Sequence, residues 1–284
     1  MATLLSSKVR DLNGMPVNRI LPHIKKRMVG PFIFLDHMGP MDLDAGEGLD
    51  VLPHPHIGLS TLTYLLEGKL LHQDSLGNNI EIVPGDVNLM TAGKGIVHSE
   101  REPLDLRDKA HRLNGIQCWL ALPAEMGEME PAFQHVPLAA LPRFRKDGVC
   151  MTLVAGKAFG LSSPANTCSP LFFVDVDAQT GSSFQRPQPD FECLLYILNG
   201  KITSGSETFE AGQILLLDQE TTFQTLTDTR CLFLGGETWP RIPFIEWNFV
   251  SFQKETIEQA KQDWKERRFP DIPSDNKEFT PLPR

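Results

Sequence analysis

Short apolar runs recur along most of the chain, and polar or turn-forming residues separate them at short intervals. Examples are LSTLTYLL at 59–66, VNLMTA at 87–92, LFFVDVD at 171–177 and CLLYIL at 193–198. Many residues in these runs are β-branched or aromatic, and 22 glycines and 22 prolines provide frequent turns. The pattern predicts an all-β protein built as a sandwich or a barrel.

Helical periodicity is strong only near the C-terminus, in the stretch KETIEQAKQDWKERRF at 254–269. We expect a short helix in this stretch. We also expect it to end at Pro270, because proline cannot continue a helical hydrogen-bond pattern.

The chain repeats its own strand pattern. The stretch LTYLLEGKL at 62–70 resembles LLYILNGKI at 194–202, and each is followed by a polar turn and a second strand pair, IEIVPGDVNLM at 80–90 and ETFEAGQILLL at 207–217. Such a duplication predicts two barrels from one chain. A segment rich in proline and acidic residues at 123–144 separates the copies, so we expect an N-terminal barrel over 1–130 and a C-terminal barrel over 131–284.

Composition narrows the function classes. With 284 residues, 41% hydrophobic and 22% charged, the chain resembles an ordinary globular protein. Its net charge of −9 argues against direct binding to nucleic acid or to an anionic membrane. It has neither an apolar signal core nor a run of about 18 apolar residues, and its five scattered cysteines form no CxxC pair. We therefore expect a cytoplasmic protein with reduced thiols, and a monomer.

Two spaced pairs of polar residues suggest metal chemistry. His54 and His56 are two positions apart, as are His98 and Glu100, so each pair projects from one face of a strand. A single such pair is more often exposed or merely hydrogen-bonded. Together, three imidazoles and one carboxylate form a ligand set that suits Fe, Mn, Ni, Co, Cu or Zn. Four protein ligands on one side of an octahedral ion would leave two positions open for water, oxygen or substrate.

The second copy of the repeat provides an internal comparison. Counting from the shared tyrosine and glycine positions places Arg186, Gln188, Thr225 and Thr227 where the first copy has its candidate ligands. Arginine cannot bind a cation, and the other three are poor ligands. If the histidines were needed only to build a barrel, the second copy should also contain them, so the difference favours a functional role.

At these residues the sequence resembles the pirin family of the cupin superfamily. The resemblance is carried by GPFIFLDHMGP at 30–40, HPHIGLSTLTYLLEG at 54–68, PGDVNLMTAGKGIVHSE at 84–100 and GIQCWLALP at 115–123. It implies two tandem cupin β-barrels with a short C-terminal helix and metal only in the N-terminal barrel. The implied ligands are His54, His56, His98 and Glu100. In a more typical cupin the carboxylate ligand follows the HxH pair closely, where this chain has Ser60 and Thr61.

The resemblance also implies an activity, quercetinase-type dioxygenation of a flavonol-like phenolic by dioxygen. One divalent metal would be the cofactor, with Fe(II) expected and Mn, Ni, Co, Cu or Zn compatible. Glu100 is the candidate catalytic base for the substrate hydroxyl. Two alternatives use the same ligands: an iron-dependent redox sensor that docks on a transcription factor or metabolic enzyme, and a protein that stores or senses metal without turnover.

Other residues have two interpretations. Asp36 and His37 could orient a ligand imidazole or simply form a turn at the end of a strand, and Gln117 could point into the first barrel or be structural. Four large apolar residues could line a pocket or belong to the core: Phe32, Phe34, Met90 and Trp119. Three histidines in polar or proline-rich stretches are expected at the surface: His72, His111 and His135.

Overall fold

The structure is a computed structural model that describes residues 2–12, 15–218 and 220–283. The first half contains β1 (Thr3–Leu5), β2 (Lys8–Leu12), β3 (Met15–Leu21), β4 (Phe32–Leu43), β5 (Val51–His56), β6 (Leu59–Glu67), β7 (Leu70–Asp74), β8 (Asn79–Ile82), β9 (Val87–Thr91), β10 (Ile96–Arg101), β11 (His111–Ala121) and β12 (Ala132–Val136). Short 3-10 helices cover Ala124–Met126 and Leu138–Ala140.

The second half continues this strand-rich pattern. It contains β13 (Arg143–Lys146), β14 (Val149–Ala158), β15 (Leu161–Ser162), β16 (Leu171–Ala178), β17 (Ser183–Gln185), β18 (Glu192–Asn199), β19 (Lys201–Ser204), β20 (Glu207–Glu210), β21 (Ile214–Leu217), β22 (Thr222–Thr225), β23 (Thr229–Gly236), β24 (Phe244–Glu246), β25 (Phe249–Ser251) and the helix α1 (Lys254–Lys265). The prediction of an all-β chain with a C-terminal helix is confirmed.

The helix α1 ends before the predicted residue. Its last turn is closed by Arg267, which has a positive φ of 58° and lies three residues before Pro270. The amide of Arg268 donates to the carbonyl of Asp263 across this turn. The helix therefore ends at a left-handed residue and not at the proline. No helix in the described ranges is long and apolar enough to span a membrane.

The chain forms two compact units, each assembled from separate segments. The first unit contains Val9–Arg19, Phe34–Leu138 and Arg241–Arg284, and the second contains Met1–Lys8, Ile20–Ile33 and Ala139–Pro240. The C-terminal segment joins the first unit because Ile257, Ala260 and Trp264 on α1 form one buried cluster with Ile57 and Val97. This grouping differs from the division after residue 130, which stays a prediction about folding domains.

Two sheets enclose the interior of the first unit. One has the strand order β12-β9-β6-β11-β4-β3-β2, and the other has the order β5-β10-β7-β8. A buried cluster draws on both sheets, with Leu65 and Leu113 from the first and Leu70 and Ile82 from the second. The four-stranded sheet, which carries the candidate ligands, therefore packs on its own apolar core.

The second unit repeats this arrangement. Its sheets have the orders β1-β21-β18-β23-β16-β14-β13, with β15 paired to β14, and β17-β22-β19-β20. A phenylalanine-rich core lies between them, including Phe172, Phe184, Phe223 and Phe233. The two repeated sequence stretches occupy equivalent places, since 62–70 spans β6 and β7 whereas 194–202 spans β18 and β19.

Candidate metal centre

Strands β5 and β10 bring the candidate ligands together. They pair antiparallel, with His98 opposite His54 and Ile96 opposite His56. Because side chains alternate along a strand, these residues share the inward face of the sheet. The pairing is interrupted between His98 and Glu100, so that Glu100 lies opposite Val51. This irregularity changes the direction of the Glu100 side chain relative to a regular ladder.

The three histidines form a tight, buried group. One ring nitrogen from each of His54, His56 and His98 lies within 4.8 Å of the others. The Nε2 atoms of His56 and His98 are 3.1 Å apart, and the ring centroids of His54 and His98 are 4.3 Å apart. Exposed fractions are 8%, 1% and 1% in chain order. Three buried imidazoles pointing at one another need a shared partner, since unpaired buried polar groups are costly.

Backbone carbonyls orient two of the rings. His54 donates from Nδ1 to the carbonyl of Leu52 at 2.8 Å, and His56 donates from Nδ1 to the carbonyl of Asn248 at 3.1 Å. These bonds leave each Nε2 lone pair directed toward the group, as in protein metal sites. His98 Nδ1 is buried without a hydrogen-bond partner among the described residues. The donor set and its orientation fit a divalent transition metal.

The environment keeps these imidazoles neutral. Burial lowers the pKa of His54, and it lowers the pKa of His56 and His98 well below the ordinary histidine value. Charge on neighbouring histidines lowers the pKa of His56 and His98 further. At His54 the hydrogen bond to the Leu52 carbonyl and, less strongly, the nearby Glu100 carboxylate offset part of this lowering of the pKa. Neutral imidazole is the form that binds metal, so burial favours binding near neutral pH.

Glu100 lies beside the histidine group and is not part of it. Its Oε1 accepts a hydrogen bond from Gln117 Nε2 at 2.6 Å and a longer one from Thr63 Oγ1 at 3.4 Å. The carboxylate is 7% exposed. The interpretation of Gln117 as a residue that points into the first barrel is therefore confirmed. Its amide holds one oxygen of the carboxylate, whereas the ligand role of Glu100 stays a prediction.

His72 is a site residue that sequence reasoning missed. The prediction of a surface position is wrong, because His72 is 5% exposed and its ring lies 5.4 Å from that of His98. Its Nε2 is 3.0 Å from Asp74 Oδ2, and its ring stacks on Phe133. The signal was strand alternation, since His72 and Asp74 share a face with the buried Leu70.

Aromatic side chains form one wall beside the histidines. Trp119 meets the ring of His56 edge-on at 5.2 Å and stacks on Phe34 at 4.1 Å. The Arg19 guanidinium covers the other face of this stack, 4.3 Å from the Phe34 ring centre, and it also forms two hydrogen bonds to Asp36. Asp36 is thus bound to Arg19. The aromatic wall shields His56 from water.

His37 has a described partner away from the imidazoles. Its Nε2 lies 2.7 Å from the side-chain oxygen of Asn114.

His111 is only partly buried, and its Nε2 lies 2.6 Å from Oε1 of the buried Glu102. Glu102 is therefore in a different environment from Glu100, although only two residues separate them.

Comparison with known proteins places this chain in a family. The Pirin profile matches residues 14–120, and the profile of the Pirin C-terminal cupin domain matches residues 173–270. The chain belongs to the pirin family. A pirin-like protein of Caulobacter vibrioides is 46% identical over 288 residues, covering 99% of this chain and 98% of that protein.

Solved structures share the fold of this chain. The crystal structure of quercetin 2,3-dioxygenase from Acinetobacter baumannii has a TM-score of 0.91 at 35% identity, covering 100% of this chain and 95% of that one. A bacterial pirin from Escherichia coli, solved with nickel(II), has a TM-score of 0.65 at 19% identity, covering 84% and 100% of the two chains. The predicted fold of two tandem cupin β-barrels is confirmed.

Proposed function

We propose that this pirin is a metal-dependent dioxygenase that acts on flavonol-like phenolics. The observation that carries the proposal is the buried group of His54, His56 and His98, with two of its rings oriented by carbonyls. Similarity to the quercetin 2,3-dioxygenase of Acinetobacter baumannii, at 35% identity over the whole chain, supports the substrate class. The proposed co-substrate is dioxygen.

The proposed ligands are His54, His56, His98 and Glu100, holding one divalent ion in the first unit. Fe(II) is the proposed ion, and Mn, Ni, Co, Cu and Zn suit the same mixed nitrogen and oxygen donors. The ion would supply Lewis acidity that polarises a phenolic oxygen toward reaction with dioxygen. Binding to Glu100 requires only its Oε2, since Oε1 already accepts the bond from Gln117.

Glu100 has a second proposed role as the catalytic base. It would take the proton from the substrate hydroxyl at a carboxylate oxygen. Gln117 and Thr63 both donate to Oε1, so the carboxylate keeps its place if it releases the metal. This arrangement lets one side chain act in turn as ligand and base. His54 and His56, whose Nδ1 atoms donate to carbonyls, have no comparable freedom.

The aromatic wall suits a planar phenolic substrate. Trp119 and Phe34 present stacked rings beside His56, and both side chains are buried. Trp119 and Arg19 already cover the Phe34 ring, so a stacking contact with substrate would have to come from Trp119. The wall excludes water from the reacting groups, which suits an apolar, ring-bearing substrate.

The test combines metal analysis with oxygen uptake. Protein purified without oxygen is analysed for metal, and its oxygen consumption is measured with a panel of flavonols and with non-phenolic controls. We expect one equivalent of metal per chain and uptake only with the phenolic compounds. Metal-loaded protein that consumes no oxygen with any flavonol would contradict the enzyme proposal. It would favour the regulatory alternative, which stays a prediction.

The monomeric state, the cytoplasmic location and the absence of direct nucleic-acid binding also stay predictions.

A further inference from the structure

We propose that residues 241–283, here called the C-terminal brace, position the metal-binding histidines of the first unit. The proposal rests on the metal-binding part of the proposed function. By sequence, much of the brace falls within the profile of the C-terminal cupin domain. In the structure it contacts three strands of the sheet that carries the candidate ligands, and each contact is close to one of those ligands.

The first contact is directly on His56. Its Nδ1 donates to the carbonyl of Asn248, which lies 192 residues away in the β24–β25 turn. The next residue, Ile57, accepts a hydrogen bond from the amide of Val250 at 3.2 Å. Gly58 has a φ of +68°, and a Cβ there would lie 2.0 Å from the Val250 carbonyl oxygen. Glycine at 58 thus permits the close approach that brings Asn248 to His56.

The second contact is on the strand segment that precedes His54. The amide of Thr280 donates to the carbonyl of Pro53 at 2.8 Å, and its hydroxyl donates to the carbonyl of Leu52 at 3.3 Å. The Leu52 carbonyl is also the acceptor that orients His54. Trp264 Nε1 donates to the carbonyl of Thr280 at 2.9 Å, which ties this part of the brace to α1.

The third contact is an ion-pair clamp on β10, next to Glu100. Arg101 donates from Nε and from a terminal nitrogen to the two carboxylate oxygens of Asp275, at 2.7 and 2.9 Å. It also contacts Glu278 at 3.1 Å. The Arg101 and Asp275 side chains are each 13% exposed. A bidentate, partly buried pair is stronger and more directional than an exposed one. On β7, Gln73 donates to Ser274.

These contacts link the brace to ligand geometry. The ring of His56 is oriented by the carbonyl of Asn248, which belongs to the brace. The ring of His54 is oriented by the carbonyl of Leu52, to which Thr280 of the brace also donates a hydrogen bond. Loosening the brace would free the His56 ring to rotate and would let the backbone before His54 move. Loss of such outer partners typically lowers metal affinity about 10-fold to 100-fold. The brace therefore raises metal affinity, whereas the buried apolar cores provide the stability of the fold.

Full-length point variants test the inference, with Co²⁺ as the probe metal. Arg101→Gln removes the clamp on β10, and Thr280→Pro removes the amide that binds Pro53. Arg230→Gln is the matched control, because Arg230 forms a similar two-bond pair with Asp175 in the second unit. Co²⁺ affinity is measured by competition with a chelator, and ¹⁵N spectra of the metal-free protein report the His54 and His56 tautomers.

We expect Arg101→Gln and Thr280→Pro each to weaken Co²⁺ binding about 10-fold. Thr280→Pro, which removes both hydrogen bonds to the segment before His54, should also reduce the His54 Nδ1–H signal. Arg101→Lys, which keeps one ion pair, should recover part of the affinity, and Arg230→Gln should bind as the wild type does. Wild-type affinity in both brace variants, or an equal loss in Arg230→Gln, would overturn the inference. Absence of Co²⁺ binding by the wild-type protein would overturn the proposed function as well.

Discussion

The two four-stranded sheets of this protein share one strand order and differ in what they carry on the inward face. In the first unit the order is β5-β10-β7-β8, and His54 lies opposite His98 across the first strand pair. In the second unit the order is β17-β22-β19-β20, and Phe184 lies opposite Phe223 across the equivalent pair. A duplicated scaffold therefore carries ionisable histidines in one copy and phenylalanines in the other.

The energetic consequences are opposite in the two copies. Phe184 stacks near Phe223 with ring centroids 5.6 Å apart, and both contact Phe233 in one buried hydrophobic cluster. Such a cluster stabilises the fold without any ligand. The three imidazoles of the first unit are buried at a cost in solvation, which lowers their pKa values. The barrel fold can be stable without histidine, so the buried histidines favour a functional role over a structural one.

Positions counted from the repeat in the second copy are also occupied by structural residues. Arg186 directly follows β17, is buried, and donates to the carbonyls of Asp218 and Phe191. Thr225 lies at the end of β22, where its hydroxyl donates to the carbonyl of Gln179. These side chains complete backbone hydrogen bonding. The inward pair of the second sheet is Phe184 and Phe223, each two residues before a counted position, Arg186 and Thr225.

The largest expected effect comes from removing one histidine. His56→Ala should lose bound metal and reduce flavonol-dependent oxygen uptake to background, while the protein stays folded because each unit has its own core. Metal content, oxygen uptake and circular dichroism are measured on the same preparation. An unfolded His56→Ala protein would contradict the separation of scaffold from chemistry.

Removing a phenylalanine should have the converse effect. Phe223 is 1% exposed, and Phe223→Ala should lower the free energy of unfolding by about 3–5 kcal/mol through the cavity it leaves. Metal content per folded chain should stay at the wild-type value. Denaturant midpoints and elemental analysis check both statements. Loss of metal from a folded Phe223→Ala protein would show that the second unit supports the site.

Glu100→Gln should separate binding from turnover. Three imidazoles can hold a borderline metal, so this variant should keep a substantial share of it. Oxygen uptake should fall about 10²-fold, equivalent to about 2.7 kcal/mol, if Glu100 is the base. Glu102→Gln serves as the nearby comparison and should keep both metal and rate. A full rate in Glu100→Gln would exclude Glu100 as the base.

Local sequence patterns were enough to predict the fold class and the residues of the histidine group. Alternation along β5 and β10 places His54, His56 and His98 on one face, and the repeat predicts the second copy. The position of Glu100 was harder, because the interruption in pairing after His98 depends on how two strands meet. The polar residues around His72 led to the prediction of a surface position. Its burial depends instead on the contact with Phe133 and the hydrogen bond with Asp74.

Contacts between distant segments were outside the reach of pattern reasoning. The acceptor for His56 is a backbone carbonyl at residue 248, and any residue type could provide it. Likewise, the grouping of 241–284 with the first unit rests on packing by Ile257, Ala260 and Trp264, whose spacing predicts a helix and does not identify its neighbour. Sequence repeats locate the barrels, whereas the chain segments that complete each unit are set by tertiary contacts.

The smallest expected effect is on the pH dependence of stability. It is tested by replacing His56 with phenylalanine, the residue type on the inward face of the second sheet. In the metal-free protein, burial holds the folded-state pKa of His56 well below its unfolded value near 6.5. Below about pH 6.5 the unfolded chain therefore binds a proton that the folded chain excludes, so stability is full at pH 7.5 and falls toward pH 5.5. His56→Phe should remove this contribution, up to about 1.4 kcal/mol per pH unit. Denaturant midpoints of chelator-treated protein at both pH values measure it. Phe184→Leu, which changes no titratable group, should keep the wild-type pH dependence. An identical pH dependence in His56→Phe and wild type would show that the folded barrel does not lower the pKa of His56.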